Sequence, residues 1–130
     1  MPAEQQPWPT ELRLHKDRKT LTVSYDGGET FDLPAEYLRI KSPSAEVQGH
    51  GPDQRQIVPG KRLVSIVGNE PVGNYAVRLT FDDTHDTGIY SWEYLRELGR
   101  EQDRRWQAYL AALEVRGMSR EPSRSGHKAR

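Results

Sequence analysis

The chain of 130 residues is long enough for one domain with its own hydrophobic core, and its 19 basic and 19 acidic residues cancel to a formal net charge of zero. A neutral chain provides no global electric field that would favour nucleic acid or an acidic membrane surface as a partner. The sequence contains no cysteine, which excludes disulfides, thiol catalysis and thiolate metal sites in one step.

Two further features of the sequence concern location. No apolar run approaches the roughly 18 residues that a membrane helix needs. The N-terminal stretch, MPAEQQPWPT, lacks the basic and apolar segments of a secretory signal peptide. We therefore expect a cytoplasmic protein that does not bind membranes.

The N-terminal third of the chain predicts a flexible arm followed by a small sheet. Residues 1–9 carry three prolines and show no periodicity, which is typical of an arm. Apolar and polar residues then alternate in three short segments separated by turn residues, and such alternation indicates half-buried strands. The apolar positions of these segments are Leu12 and Leu14, then Leu21, Val23 and Tyr25, then Phe31 and Leu33. The pattern predicts a three-stranded antiparallel meander.

A long connection separates the predicted meander from the rest of the chain. Residues 34–39 favour one or two helical turns with proline at an early position. Residues 41–60 are rich in proline and glycine, and connections of this length in compact domains usually carry function or are mobile. The apolar run at residues 63–67 is typical of a central strand covered on both faces.

Residues 72–98 carry the clearest pattern of the chain. Tyr75, Val77, Leu79 and Phe81 alternate with smaller or polar residues, which predicts a half-buried strand. Residues 82–86, with the sequence DDTHD, break the alternation with side chains that hydrogen-bond their own backbone in turns. A short return strand is expected at residues 87–90. Ser91 then favours a helix N-cap, and Gly99 is placed to end that helix.

The C-terminal part predicts a second helix and a tail. Within residues 100–116, Trp106, Tyr109, Leu110 and Leu113 lie on one helical face. Residues 118–130 are basic and nearly devoid of apolar side chains, which predicts a disordered tail. The expected domain therefore spans residues 10–117. Its predicted class is α+β, an antiparallel sheet of about five or six strands with two C-terminal helices.

Asp82, Asp83, His85 and Asp86 form the densest cluster of side chains able to hold a cation. Carboxylates with an imidazole suit a hard or borderline metal ion. The same residues also form an ordinary acidic turn whose side chains bond to backbone amides. His50, in a glycine-flanked position, is the residue that would complete a metal site with Asp83 and His85.

Ser42 and Ser44 are the serines of the long connection that a hydrolase would use. Neither is surrounded by the glycines of a nucleophile elbow, so the sequence gives no support for a serine hydrolase. The glycines of the connection match neither of the common phosphate-binding spacings. We find no catalytic constellation and expect a protein that is not an enzyme.

Three phrases of the chain resemble a known family. They are EPVGNY at residues 70–75, FDDTH at residues 81–85 and GIYSWEYL at residues 88–95. They are similar to the gamma-butyrobetaine hydroxylase-like N-terminal domain family, and the resemblance extends over residues 8–113. In the eukaryotic hydroxylases this domain precedes an iron- and 2-oxoglutarate-dependent catalytic domain. Similar domains also occur alone in bacteria, and fused to P-loop ATPases of the iron–sulfur scaffold type.

The resemblance also implies which residues correspond to a zinc site. In the eukaryotic hydroxylases the domain holds a structural zinc through three cysteines and one histidine, and the histidine corresponds to His85. The cysteine places, which follow residues 38–39, are taken by Ser42, Ser44 and Val47. Since all three thiolates are missing, we expect the zinc to be lost and no cofactor to be bound. His85 is then either a buried structural hydrogen-bonding residue or an exposed contact for a partner.

Together these features predict a stand-alone, non-catalytic binding or interaction module with a protein partner. The known fusions imply a role accessory to iron–sulfur cluster assembly or to a separate oxygenase. The binding surface is expected where residues 42–60 meet the turn 82–86. Its candidate residues are Ser42, Ser44, His50, Asp82, Asp83, His85 and Asp86. The alternative is a metal-binding protein or metal-dependent enzyme that uses Asp83, His85 and His50.

The missing thiolates predict that the protein folds without metal. A structural zinc site supplies folding free energy that serines and a valine cannot replace, so stability must come from the apolar core. We expect the addition of EDTA to leave the melting temperature unchanged when unfolding is followed by circular dichroism. A fall of several degrees would show that a bound metal ion contributes to the folded state.

Overall fold

The structure, a computed structural model, describes residues 8–43, 57–85 and 88–122. Within these ranges, six strands form two antiparallel sheets of three strands each. The first sheet has the order β1 (Pro9–Leu14), β2 (Thr20–Tyr25) and β3 (Thr30–Pro34). The second has the order β4 (Ile66–Val72), β5 (Ala76–Phe81) and β6 (Gly88–Ser91). The helices are α1 (Ala35–Ile40), α2 (Trp92–Arg100) and α3 (Gln102–Arg116).

The expected α+β class is confirmed, but the expectation of a single sheet of five or six strands is wrong. The N-terminal meander exists as predicted, with Leu21 opposite Leu33 across β2 and β3. However, β3 leads directly into α1, so the later strands do not extend its ladder and form a second meander instead. A backbone hydrogen bond joins the two sheets where Ile66 N–H donates to the Arg18 carbonyl at 2.9 Å, in the turn between β1 and β2.

β4 is an edge strand, although the apolar run at residues 63–67 favoured a central one. Leu63 precedes the strand and Val67 lies within it, and both side chains are exposed. Val67 is the extra residue of a bulge, because the register with β5 shifts between Ile66 and Gly68. The apolar run therefore does not correspond to burial on both faces.

One cluster of buried side chains joins both sheets, α1 and α2 into a single core. It contains most of the apolar residues that the alternation predicted, among them Leu21, Val23, Leu33, Val77, Leu79 and Phe81. A smaller cluster of Ile40, Tyr109 and Leu113 attaches α3 to the end of α1. Tyr75 is exposed instead of buried, because it lies in the turn between β4 and β5.

Of the two helix-end residues predicted above, Ser91 has the predicted role and Gly99 does not. Ser91 Oγ accepts a hydrogen bond from Tyr94 N–H at 3.0 Å, which is the expected N-cap of α2. Gly117 ends α3 in the left-handed conformation, with φ of 66°. Gly99 does not end α2, which continues to Arg100. None of the helices in the described ranges has the length and apolarity to cross a membrane.

Residues 118–122, which we call the C-terminal strap, fold back onto the domain after α3. The strap runs beside residues 60–62. The two backbone hydrogen bonds between them go from Gly60 N–H to the Ser119 carbonyl (2.9 Å) and from Arg62 N–H to the Arg120 carbonyl (3.0 Å). The start of the expected tail is therefore bound to the domain.

The predicted arm and tail extend into residues 1–7 and 123–130, which lie outside the described residues. Pro9, the last residue of the expected arm, is the first residue of β1, and Asp26 N–H donates to the Trp8 carbonyl at 2.8 Å. The division into arm, domain and tail stays a prediction.

Gly99 lies where α2 packs against Phe31 of β3. A Cβ atom added to Gly99 would be 2.3 Å from Phe31 Cγ. We expect Gly99→Ala to destabilise the protein by about 1–3 kcal/mol through overpacking, although alanine in a helix interior ordinarily stabilises by about 1 kcal/mol relative to glycine. Urea unfolding measures the difference. Gly68→Ala is the control, because its added Cβ would meet Thr80 Cβ at an ordinary 3.6 Å. A stabilised Gly99→Ala variant would contradict this packing.

Candidate functional site

The turn after β5 is built by hydrogen bonds among its own residues. Thr84 N–H donates to the Phe81 carbonyl at 3.0 Å, and Phe81 N–H donates to the His85 carbonyl at 2.9 Å. Asp83 Oδ1 accepts from His85 N–H at 3.2 Å, the local side-chain-to-backbone bond expected of aspartate in a turn. These bonds fix the positions from which the Asp83 and His85 side chains extend.

Asp83 joins the turn to two other parts of the chain. Its Oδ2 accepts from Arg39 Nε of α1 at 2.9 Å and from Lys61 Nζ at 2.6 Å. Burial raises the pKa of the Asp83 carboxyl, but the hydrogen bonds from Lys61 and the His85 N–H, with the charge of Arg39, outweigh burial and hold this pKa below its usual range. Asp83 is therefore a carboxylate at neutral pH, with a cation on each of two sides.

His85 is buried and forms a hydrogen bond with Ser42, which begins the long connection. Ser42 Oγ lies 2.9 Å from His85 Nε2, and the Ser42 side chain is fully buried. Ser42 also hydrogen-bonds to the hydroxyl of Tyr90, and this hydroxyl donates to the Leu38 carbonyl. Of the two roles considered for His85, its burial fits a structural hydrogen-bonding residue and does not fit an exposed contact for a partner.

Gly88, the first residue of β6, allows this polar cluster to close. A Cβ atom at Gly88 would lie 2.8 Å from Ser42 Oγ and 2.9 Å from the Tyr90 ring. Sequence reasoning did not assign a role to Gly88, although a glycine inside a strand pattern often marks a close approach. Any larger residue here would displace Ser42 from His85.

The structure brings together some of the predicted surface residues and buries others. Ser42 and His85 are neighbours but are buried, so they do not contribute directly to a surface. Asp82 is exposed, and its Oδ1 accepts from Ser65 N–H at 3.1 Å, while Asp83 is partly exposed. Ser44, His50 and Asp86 lie outside the described residues. The role of this region in binding stays a prediction.

The metal alternative depends on Asp83, His85 and His50. Asp83 Oδ2 already accepts from two cations and His85 Nε2 contacts Ser42 Oγ, so metal ligation by these atoms would have to replace those bonds. His50 lies outside the described residues. In the part of the chain that the structure describes, no three histidine, aspartate or glutamate side chains are grouped to hold a metal ion. The expected lack of metal stays a prediction.

Lys61 is a site residue that sequence reasoning missed. No local pattern relates it to Asp83, which is 22 positions away in the chain. It lines an open cleft of about 250 Å³ together with Gly60, Leu63, Val64, Asp82 and Asp83. A second open cleft of about 420 Å³ shares Gly60 and Lys61, and its opposite wall is formed by the C-terminal strap. The charged turn and the strap therefore lie on either side of Lys61.

Two three-stranded meanders around one core, with a buried serine–histidine pair beside an ion-paired turn, define a small α+β domain. The model of the family described as gamma-butyrobetaine hydroxylase-like, N-terminal, matches residues 12–96. The chain belongs to this family, as the resemblance of its three phrases predicted. No curated protein matches the chain.

Solved structures show the same fold. Two are solution structures determined by NMR. One is 50% identical in sequence with a TM-score of 0.78, and the match covers 95% of this chain and 97% of the other chain. The other is 47% identical in sequence with a TM-score of 0.79, and the match covers 94% of this chain and 91% of the other chain. A crystal structure from Acidithiobacillus ferrooxidans, described as a protein with unknown function of the DUF971 family, is 43% identical with a TM-score of 0.59. It covers 70% of this chain and 91% of its own.

The hydrogen bond between Ser42 and His85 predicts energetic coupling between the two residues. We expect Ser42→Ala and His85→Ala each to cost about 1–3 kcal/mol, because each leaves buried polar atoms of its partner unpaired. The double variant should cost less than the sum, with a coupling of about 0.5–3 kcal/mol. Urea unfolding of the four proteins gives this value. The control cycle pairs Ser42→Ala with His15→Ala, whose ring bonds to Thr22 of the first sheet, and there the costs should add. Additivity in both cycles would rule out a stabilising Ser42–His85 bond.

Proposed function

We propose that this chain is a non-catalytic protein-binding module whose binding surface is the cleft beside the turn 82–85. The observation that carries the proposal is the composition of this cleft. Leu63, with 52% of its surface exposed, lines the cleft with Lys61, Asp82 and Asp83. An apolar centre with a polar and charged rim is a common layout of protein-binding surfaces.

The buried serine–histidine pair supports a structural role and not a catalytic one. Ser42 Oγ is fully enclosed and hydrogen-bonds to both His85 and Tyr90, so a substrate carbonyl has no path to it. A nucleophile must lie within reach of the atom it attacks. The pair therefore holds the start of the long connection in place, next to the turn that forms the cleft.

The cellular role that we propose is accessory to iron–sulfur cluster assembly or to a separate oxygenase. Its support is the family resemblance, since similar domains are fused to scaffold-type P-loop ATPases and to iron- and 2-oxoglutarate-dependent catalytic domains. A domain that is covalently joined to an enzyme in one protein often docks with a separate enzyme in another. This support is an analogy between domain arrangements, because a fold does not determine a function.

Affinity capture from the native cell tests the proposal with a matched pair of variants. Leu63→Asp places a charge in the cleft, and we expect it to reduce partner capture about tenfold or more, as loss of an interface anchor of about 1.4 kcal/mol or more does. Tyr75→Asp is the control, because Tyr75 is similarly exposed (59%) but lies at the opposite end of β5. Both melting temperatures should stay close to that of the wild type.

The outcomes of this experiment separate the proposed alternatives. Equal capture by both variants would contradict binding at the cleft. Captured proteins without iron–sulfur assembly factors or oxygenases would contradict the proposed cellular role. Elemental analysis of the purified wild type and of His85→Ala addresses the metal-binding alternative. A stoichiometric metal ion that the variant loses would favour that alternative.

A further inference from the structure

We infer that the C-terminal strap, residues 118–122, sets the conformation of the turn 82–85 by holding Lys61 against Asp83. Nothing in the sequence suggested a connection between the strap and the turn. They are connected through Lys61, which lies between them. This inference concerns the domain itself and does not depend on which partner the cleft binds.

The strap is anchored by Arg120. Its guanidinium donates two hydrogen bonds to the Glu36 carboxylate of α1, Nε to Oε2 at 2.8 Å and Nη2 to Oε1 at 2.7 Å. Arg120 also lies over the Trp106 ring, 5.1 Å from its centroid. Glu36 is buried, and a buried carboxylate is strongly destabilising unless it is paired. The docked position of the strap is therefore favoured, because undocking would leave the charge of Glu36 uncompensated.

The docked strap fixes the backbone on both sides of Lys61. The Gly60 N–H bond to the strap lies one residue before Lys61, and the Arg62 N–H bond lies one residue after it. Arg62 Nε and the Glu121 carboxylate of the strap add an ion pair at 2.7 Å. A residue held on both sides has little freedom at its Cα, so the direction in which the Lys61 side chain extends is set by the strap.

Lys61 transmits this constraint to the turn. Its Nζ donates to Asp83 Oδ2 at 2.6 Å, while Asp83 Oδ1 accepts the His85 N–H that shapes the turn. Arg39 of α1 holds the same carboxylate independently of the strap. Release of the strap should therefore weaken the support of the turn without unfolding it. The result is a conformational link between the C-terminal residues and the cleft.

The backbone amide of His85 provides a local readout of this link. It donates to Asp83 Oδ1, and Lys61 holds the other oxygen of the same carboxylate. If the strap positions Lys61, a change that frees the strap loosens this carboxylate and speeds hydrogen exchange at the His85 amide. A purely local role of Arg120 would leave the exchange of this amide unchanged.

The test is amide hydrogen exchange of the full-length protein, measured by NMR at the His85 N–H. We expect Arg120→Gln to speed this exchange in the direction of Lys61→Met, which removes the hydrogen bond to Asp83 directly. If Arg120→Gln is too unstable to measure, the double variant Glu36→Gln/Arg120→Gln removes both charges of the anchor and serves in its place.

Two controls separate a local effect from a general loss of stability. The amide of Leu79, in the central strand β5, reports global unfolding and should keep its exchange rate. Arg116→Gln, an equal change of charge on the exposed last turn of α3, should leave the exchange of His85 unchanged.

Each result either supports or overturns the link. Faster exchange of the His85 amide in Lys61→Met and in the Arg120 variant, but not in Arg116→Gln, supports it. Exchange that is faster only in Lys61→Met shows that the strap does not position Lys61. Exchange that changes in none of the variants shows that Lys61 does not hold Asp83, and the link is overturned at that step.

Discussion

The carboxylate of Asp83 is the junction on which the arrangement of this domain depends. It accepts hydrogen bonds from Arg39 on α1, from Lys61 on the segment before β4 and from His85 in its own turn. These three donors come from parts of the chain that no strand ladder connects. The two positive charges lie beside one partly buried negative charge, and this pairing offsets part of the free-energy cost of removing the charged groups from water. The described segments on either side of residues 44–56 are therefore both held beside the turn, one through Arg39 and the other through Lys61.

Tyrosine hydroxyls also join distant segments of the chain by hydrogen bonds elsewhere in the domain. The hydroxyl of Tyr25 donates to the Trp92 carbonyl, that of Tyr37 to the Leu98 carbonyl and that of Tyr94 to the Lys41 carbonyl. Each bond links segments far apart in sequence, and those to Leu98 and Lys41 satisfy carbonyls at the C-terminal ends of helices. Tyr109 donates to the Val58 carbonyl at 2.6 Å, and burial raises the pKa of Tyr109 to about 12. Large rings fill the core while their hydroxyls pair the backbone. Such bonds join the layers of a chain that has no cysteine.

Local patterns predicted the elements of this fold well, and long-range charge pairs could not be predicted at all. The alternation of Val77, Leu79 and Phe81 has a physical cause within one strand, as does the cap at Ser91, so both were visible in the sequence. The pairs of Lys61 with Asp83 and of Arg120 with Glu36 depend on how distant segments meet, and nothing in local spacing encodes that. The division into two sheets was missed for the same reason.

The contact between Ser42 and His85 was predictable from the family resemblance but not from local spacing. Spacing alone could not relate Ser42 to His85, which is 43 positions away. The family resemblance could, because it aligned both residues with places that surround one zinc ion in related domains. Their proximity was therefore implied by the resemblance, and the hydrogen bond between them follows from the side chains that this chain carries.

The exposed edge of β4 has a consequence for the behaviour of the protein at high concentration. Pro71 has no N–H to offer to an approaching strand, and the bulge at Val67 twists the backbone away from a flat ladder. Glu70 and Arg78 place an ion pair across the same hairpin. A second molecule could not continue the sheet along this edge without losing ladder bonds, so β4 resists the stacking of sheets into fibrils.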